Sequence, residues 1–243
     1  MEQVKDWFSS WFDSPYYTLL YRDRNDSEAE HFIRLLIDHL QLDDRARMLD
    51  LACGKGRHSV QLQKMGFRVV GVDLSANSIA AAKKHENADL HFLRDDMRHF
   101  DLGMQFDCIV NLFTSFGYFS DPLDNELVLA NVKRHLKPNG LFVMDFFNEQ
   151  KVRSTLVPHM EKVLDGVRFE LSKRIEDGFV KKHIRIHADT QVLDFEEKVQ
   201  LLAPDQINQW IEKAGLRVLR TFGSYDLEPF NRETSDRYIL IAQ

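Results

Sequence analysis

Two glycines and one acid carry the most specific chemistry that the sequence indicates. Gly54 and Gly56 follow the apolar segment Met48-Leu49-Asp50-Leu51, and Asp73 closes a second apolar segment 19 residues after Gly54. Because glycine has no Cβ, a turn with glycines at these positions can approach a ligand closely. An acid at the end of the next strand can accept hydrogen bonds from both hydroxyls of a ribose. The spacing therefore predicts a strand, a turn and a helix over about Arg57 to Lys64 that bind a nucleoside.

The third position of the dinucleotide-binding fingerprint is not a glycine in this chain. It falls at residue 59, which is Ser59. A side chain at this position hinders the close packing of the helix on the strand, and a pyrophosphate needs that close packing to bind. The turn is therefore better suited to a nucleoside ligand without a pyrophosphate.

With its hydrophobic run, Asp50, a small residue and the Gly-x-Gly turn, the chain resembles the class I S-adenosylmethionine-dependent methyltransferases of the small-molecule type. The resemblance is strong from about Ala46 to Asn148 and weaker, though continuous in layout, to Gln243. It implies an α/β fold with a doubly wound, Rossmann-like, seven-stranded and mainly parallel sheet that ends in an antiparallel hairpin. It also implies S-adenosyl-L-methionine as the cofactor.

Later segments are similar to further motifs of that family. Leu90 to Met97 resembles the third strand and its acidic loop, in which Asp96 would take the adenine amino group and the Met97 N–H a ring nitrogen. Phe106 to Asn111 resembles the fourth strand, which ends beside the sulfonium, and Leu136 to Asp145 resembles the turn and fifth strand.

The resemblance thus implies a cofactor site built from several segments. Tyr17, Tyr21 and Arg34 in the leading helices are candidates for the methionyl end, since an arginine can pair with a carboxylate through two hydrogen bonds. Core packing is the alternative for the two tyrosines, which share an apolar face with neighbouring aromatic residues. The full expected set is Tyr17, Tyr21, Arg34, Asp50, Ala52, Cys53, Gly54, Gly56, Asp73, Leu74, Asp96, Met97, Asn111, Leu112 and Phe113.

The elements around this crossover follow from hydrophobic periodicity and turn residues. Leading helices occupy about residues 1–45, including a helix from Glu28 to Leu40, and a helix from Pro204 to Ala214 precedes a hairpin of Leu216 to Phe222 with Arg237 to Ala242. Between them, an inserted antiparallel flap at about 160–202 is expected from three alternating β-segments. Its turns are placed at Asp165-Gly166, Asp177-Gly178 and Ala188-Asp189, and the flap is expected to form one wall of the acceptor chamber.

Methyl transfer needs aligned reactants and the exclusion of water more than it needs reactive side chains. Aromatic residues near the strand ends could line the chamber, although they could equally belong to the core. They are Phe113, Phe116, Tyr118, Phe146 and Phe147. Asp145, Arg185 and His187 could orient or deprotonate an acceptor, but structural roles are favoured for them. No catalytic base and no metal ligand are therefore assigned.

Composition agrees with one domain over residues 1–243, because 44% apolar residues can fill a core of this size. The formal charge of −6 makes nucleic acid an unlikely partner, and Asn111-Leu112-Phe113 lacks the Asn-Pro-Pro-aromatic signature of base-amine methylation. Glu2, Lys5, Asp6 and Asp13 interrupt any apolar run at the start, so neither a signal peptide nor a membrane span is expected. Two cysteines indicate a reducing compartment, the cytoplasm.

Three functions remain open at this point. The first is methyl transfer from S-adenosylmethionine to a small-molecule acceptor, at N, O, S or C. The second is an NAD(P)-linked oxidoreductase, which would use the same crossover and Asp73 but is disfavoured by Ser59 and Asp96. The third is a non-catalytic cofactor-binding or dimerising module, because flap edge strands are natural sites for pairing into a homodimer.

Overall fold

The computed structural model of the chain describes residues 7–22, 26–188 and 191–243. Within these ranges the helices are α1 (Trp7–Phe12), α2 (Pro15–Leu20), α3 (Asp26–Leu40), α4 (Arg57–Lys64), α5 (Ala76–Ala82), α6 (Pro122–His135), α7 (Glu149–Thr155) and α8 (Pro204–Lys213). None of them is both long enough and apolar enough to cross a membrane. Glu2, Lys5 and Asp6, which entered the prediction for the first segment, lie outside the described residues.

The strands form two separate sheets. They are β1 (Arg47–Leu51), β2 (Arg68–Asp73), β3 (Leu90–Arg94), β4 (Phe106–Asn111), β5 (Leu136–Phe147), β6 (His159–Leu164), β7 (Val167–Glu176), β8 (Phe179–Ala188), β9 (Gln191–Gln200), β10 (Val218–Phe222) and β11 (Arg237–Ala242). The larger sheet has the order β10-β11-β5-β4-β1-β2-β3, and the smaller has the order β6-β7-β8-β9.

The larger sheet confirms the predicted fold class. Strands β1 to β5 run parallel, whereas β11 lies antiparallel to β5 and β10 antiparallel to β11. Starting from β1, the chain adds β2 and β3 on one side and then β4 and β5 on the other. A crevice at the carboxyl ends of β1 and β4 follows from this reversal, and such a crevice is where open α/β sheets bind ligands.

Both faces of the larger sheet are covered by helices, which explains its continuous apolar strands. On one face, Phe32, Ile33 and Leu36 of α3 pack with Met48 of β1. On the opposite face, residues of α6 and α8 pack against Leu49, Phe142 and Met144, among others. The central strands β1 and β4 are consequently almost wholly buried and provide a rigid base for the loops at their ends.

The smaller sheet is the inserted flap, with four strands where the sequence indicated three. The additional strand, β6, was missed because its side chains are nearly all exposed and show no alternation. Turns occur as predicted at Asp165-Gly166 and Asp177-Gly178, where both residues have positive φ, as tight hairpins require. Asp189, in the third predicted turn, lies outside the described residues.

Candidate functional site

A cavity of about 680 Å³ opens at the carboxyl ends of β1, β2, β3 and β4. Its wall combines the first two helices, the glycine turn with the start of α4, and the loops that follow β2, β3 and β4. The lining residues are Phe12, Tyr17, Thr18, Tyr21, Arg22, Ala52 to His58, Val60, Gln61, Val72 to Leu74, Ser78, His85, Asp95 to Met97, Leu112, Phe113, Ser115, Tyr118 and Phe119.

The two glycines of the turn have different physical roles. Both have positive φ, +55° at Gly54 and +81° at Gly56. A Cβ built on Gly54 would meet no atom within 4 Å, so this position faces open space in the cavity. A Cβ on Gly56 would lie 2.5 Å from the ring of Phe92. Gly54 therefore keeps the cavity clear, whereas Gly56 lets the start of α4 approach the sheet.

The carboxylate of Asp73 lines the cavity and shapes the glycine turn. Its Oδ2 accepts a hydrogen bond from the Gly54 N–H at 2.8 Å, and its Oδ1 accepts one from the Ser75 N–H at 2.8 Å. Each carboxylate oxygen retains further acceptor capacity. Burial raises the pKa of this carboxyl above its ordinary value. The acid can therefore hold the turn and still accept hydrogen bonds from ligand hydroxyls.

Asp50 was expected among the cofactor-binding residues, but it lies behind the glycine turn and does not line the cavity. Its side chain is buried, and the Ser59 hydroxyl donates to its Oδ2 at 2.5 Å. Burial raises the pKa of the carboxyl to about 6. The serine in the third fingerprint position thus ties α4 to β1, a role that the sequence analysis missed.

The raised pKa of Asp50 predicts how the free energy of unfolding depends on pH. Folding favours the protonated acid, so the contribution of Asp50 is fully present below about pH 4 and is lost as the pH rises through about 6. We expect the free energy of unfolding of Asp50→Asn to gain about 2 kcal/mol relative to wild type between pH 4 and pH 7.5. Urea unfolding at both pH values measures this gain. The control Asp89→Asn removes a partly exposed carboxylate, and an equal gain there would contradict the burial argument.

The acidic loop after β3 brings Asp96 and Met97 to the cavity. Burial opposes ionisation of Asp96, but hydrogen bonds from the side chain and backbone of Arg98 lower the pKa of its carboxyl below the usual value. Arg98 also pairs with Asp124 at 2.9 Å near the beginning of α6. Asp96 is therefore a fixed, charged acceptor at this end of the cavity.

The end of β4 contributes Leu112 and Phe113 to the cavity but not Asn111. Asn111 is buried, and its amide donates to the Leu51 carbonyl at 2.9 Å. Its Oδ1 atom has no hydrogen-bond partner within the described part of the chain. The amide thus connects β4 to the end of β1, beneath the cavity floor.

Tyr17 and Tyr21 line the cavity, whereas Arg34 does not. Helix α3 buries Phe32, Ile33 and Leu36, which places residue 34 on its exposed face. The cavity instead receives basic side chains that the sequence analysis overlooked, among them Lys55 and Arg57 in and after the glycine turn. Their position beside the two glycines is the signal that could have identified them.

The flap was expected to form one wall of the chamber, but none of its described residues lines the cavity. It lies behind the leading helices, where Trp11 packs on Phe195 with ring centroids 4.7 Å apart. Glu197 accepts hydrogen bonds from the Trp11 indole at 2.7 Å and from the Tyr21 hydroxyl at 2.5 Å. Lys182 pairs with the same carboxylate at 3.3 Å. The flap therefore supports the aromatic wall from behind.

The other chamber candidates divide between the cavity and the core, and the three polar ones have the structural roles that were favoured for them. Phe113 and Tyr118 line the cavity, but Phe116 and Phe146 belong to the core beneath it, and Phe147 packs against that core. Arg185 pairs with Asp194 on the flap, and His187 Nε2 lies 3.0 Å from a carboxylate oxygen of Glu170, both away from the cavity. Asp145 is buried below the loop after β4. None of these three polar residues can therefore touch an acceptor in the cavity.

Residues 48–140, which contain the glycine turn, Asp73 and the acidic loop, match a family model described as a methyltransferase domain. The chain therefore contains a methyltransferase domain and is an S-adenosylmethionine-dependent methyltransferase. It is similar to a dTDP-4-amino-2,3,4,6-tetradeoxy-D-glucose N,N-dimethyltransferase of Saccharopolyspora spinosa, with 28% identity over 79% of this chain and 78% of that protein. A glycine/sarcosine N-methyltransferase of Aphanothece halophytica is 26% identical over 90% of this chain and 83% of the relative.

Solved structures share the fold of this methyltransferase. An S-adenosylmethionine-dependent methyltransferase from Clostridium acetobutylicum ATCC 824 superposes with a TM-score of 0.80 at 21% identity, covering 94% of this chain and 95% of that one. The cofactor of the enzyme is S-adenosylmethionine. Two features of the cavity fit such a ligand, namely the open space at Gly54 and the carboxylate of Asp73.

Proposed function

We propose that this methyltransferase holds S-adenosylmethionine in the 680 Å³ cavity and methylates the amine of a small molecule there. The observation that supports the proposal most directly is the joining of two surfaces in one cavity. One surface is the turn with Asp73 and Asp96, and the other is an aromatic wall from the leading helices. A nucleoside and a second small molecule can therefore meet without leaving the cavity.

The nucleoside half would be held by acceptors with fixed positions. Asp73 would accept from the ribose hydroxyls, and Asp96 with the Met97 N–H would bind the adenine. Ala52, Cys53 and Gly54 would present their backbone to the same half, and Leu74 would pack beside it. This assignment rests on the cavity lining and on the hydrogen bonds that orient Asp73 and Asp96.

At the methionyl end, Arg57 replaces Arg34 as the candidate partner of the carboxylate. Arg57 lines the cavity and is the first residue of α4. Its guanidinium can make two hydrogen bonds with a carboxylate, and the beginning of a helix favours negative charge. Tyr17 and Tyr21 line the same cavity from α2 and the residue after it.

When bound, S-adenosylmethionine supplies a methyl group that is already activated by a positively charged sulfur. The residues of this chain then need to orient the acceptor and exclude water. Phe12, Tyr17 and Tyr21 make successive ring contacts at 5.0 Å and 4.9 Å, and Phe12 meets Tyr118 at 5.6 Å. This aromatic wall provides an apolar surface against which a small acceptor can lie. No residue is assigned as a general base.

An amine acceptor is supported by two observations. The two relatives compared above are N-methyltransferases by name, one acting on an amino sugar and one on amino acids. In addition, aromatic rings attract ammonium cations, so the aromatic wall can bind an amine in its charged form. The bound amine would then release a proton to water, because only the neutral nitrogen has the lone pair that accepts the methyl group. Hydroxyl acceptors gain no such attraction.

The amine proposal can be tested with paired acceptors and methyl-labelled S-adenosylmethionine. Glycine is compared with glycolate, and glucosamine with glucose, so each pair differs in the amine. We expect labelled product from at least one amine and none from its hydroxyl partner, in an assay where Asp73→Ala abolishes the transfer. Transfer to the hydroxyl compounds alone would contradict the amine assignment.

A cytoplasmic location and a homodimer stay predictions. Cys53 and Cys108 are free and buried, which supports a reducing compartment. Exposed apolar side chains on the flap, such as Val163 and Val192, supply a surface for subunit contact.

A further inference from the structure

The loop after β4 has an unusual backbone where it borders the cavity. Phe113 and Thr114 are consecutive non-glycine residues with positive φ, 57° and 61°. A β-branched residue such as threonine is a true outlier in this region. Such strain persists only where the surrounding structure imposes it, and it is concentrated at functional sites. Leu112, Phe113 and Ser115 of this loop all line the cavity.

A buried acid from β5 imposes this conformation. The Oδ2 atom of Asp145 accepts a hydrogen bond from the Phe113 N–H at 2.8 Å. The backbone carbonyl of Asp145 accepts a second one from the Thr114 N–H at 3.1 Å. The Tyr225 hydroxyl donates to the same Oδ2 at 3.1 Å. Asp145 therefore holds both strained residues through their backbone.

Arg237 on β11 completes the arrangement. It donates to Asp145 Oδ1 from Nε at 2.8 Å and to the Thr114 hydroxyl from Nη2 at 2.9 Å. Asp145 is wholly buried, and the Arg237 side chain is 18% exposed. A buried ion pair is often no more stabilising than apolar side chains of the same volume. Stability alone therefore gives no reason for a charged pair at this point.

The ring of Phe113 connects this loop to residues that line the cavity. This ring stacks on His58 with centroids 4.8 Å apart and on Tyr225 with centroids 5.0 Å apart, each with an interplanar angle of 24°. The Arg57 guanidinium lies 4.8 Å from the same ring. A change in the loop would therefore displace the surface against which Arg57 and His58 rest.

We infer that Asp145 and Arg237 are positioning residues for the methionyl end of the cofactor site. They hold the Phe113–Thr114 turn, and Phe113 in turn places Arg57 and His58 at the cavity. The inference rests on the proposed function, because it assigns the methionyl carboxylate to Arg57. The adenine end, at Asp96 and Met97, has no part in this chain of contacts.

The test compares two probes that share the nucleoside. S-adenosylhomocysteine carries the amino-acid tail, and adenosine lacks it. For Arg237→Met we expect calorimetry to show at least tenfold weaker binding of S-adenosylhomocysteine, with adenosine binding unchanged within twofold. The matched control is Arg232→Met, which removes an arginine that pairs at 3.0 Å with Asp205 on the surface. Its binding of both probes should equal that of wild type.

Loss of both probes in folded Arg237→Met would overturn the inference, since it would indicate general damage to the site. Unchanged binding of both would overturn it as well. Failure of the proposed function is distinguishable, because then wild type itself would bind neither probe. Should Arg237→Met not fold, Arg237→Lys keeps the charge but has a single donor nitrogen, which cannot take the places of both Nε and Nη2. It should weaken S-adenosylhomocysteine selectively, and unchanged affinity would count against the proposal.

A second variant tests the role of strain. Glycine adopts positive φ without steric cost. Thr114→Gly should therefore restore part of the S-adenosylhomocysteine affinity when it is added to Arg237→Met. No recovery in the folded double variant would contradict a role for the pair in holding the strained turn.

Discussion

Replacing Asp73 with alanine is expected to weaken the binding of S-adenosylmethionine by at least a hundredfold. A hydrogen bond to a charged group contributes about 1.5 to 3 kcal/mol, and the proposed site uses this carboxylate for two ribose hydroxyls. The loss of about 3 kcal/mol corresponds to about a hundredfold in affinity. The variant also loses the acceptors for the Gly54 and Ser75 N–H groups, which shape the turn.

Calorimetric titration with S-adenosylhomocysteine gives the affinity without turnover. Asp89→Ala is the control, because it removes an acid next to β3 at the opposite ends of the strands, where Asp89 pairs with Arg45 at 3.1 Å. Unchanged affinity in Asp73→Ala would exclude the ribose assignment. The raised pKa of Asp73 adds a check in wild type, since affinity should decline on acidification before an ordinary aspartate would be protonated.

The strands and the glycine turn could be predicted because their signals are local. Apolar runs such as Val69 to Val72 are buried on both faces, and glycines mark the turn between β1 and α4. The position of Arg34 on the exposed face of α3 could also have been predicted from the sequence. Phe32, Ile33, Leu36 and Ile37 have helical spacing, which places residue 34 on the polar side of α3.

Contacts between distant parts of the chain could not be predicted in this way. The Trp11 indole meets Glu197 across 186 residues, and this contact places the leading helices between the flap and the cavity. Alternation in β8 identifies two faces of the flap but not the element that covers each of them. The expected flap wall was therefore wrong, although the flap itself was predicted.

The contacts that hold the loop after β4 could not be predicted from the sequence either. An acid at the end of β5 is visible in the sequence, but its partner Arg237 lies 92 residues away. Thr114 gives no signal of a left-handed backbone, since glycine and asparagine are the residues typical of that region. The strain arises from tertiary hydrogen bonds, which overrule the local preference of the residue.

Gly54→Val is expected to abolish measurable cofactor binding while leaving the protein folded. A side chain at residue 54 would project into the open space of the cavity, where the cofactor is proposed to lie. The positive φ of +55° adds a cost of about 1 to 2 kcal/mol for any residue with a Cβ. This cost acts on stability, so it must be separated from the effect on binding.

Gly103→Val provides that separation. Gly103 has φ of +61°, and a Cβ there would also meet no atom within 4 Å, but the residue lies between β3 and β4, away from the cavity. Both variants should lose a similar free energy of unfolding in urea titrations. Only Gly54→Val should lose the binding of S-adenosylhomocysteine. Equal affinities in the two variants would show that the space beside Gly54 is not occupied by the cofactor, because the backbone strain is common to both.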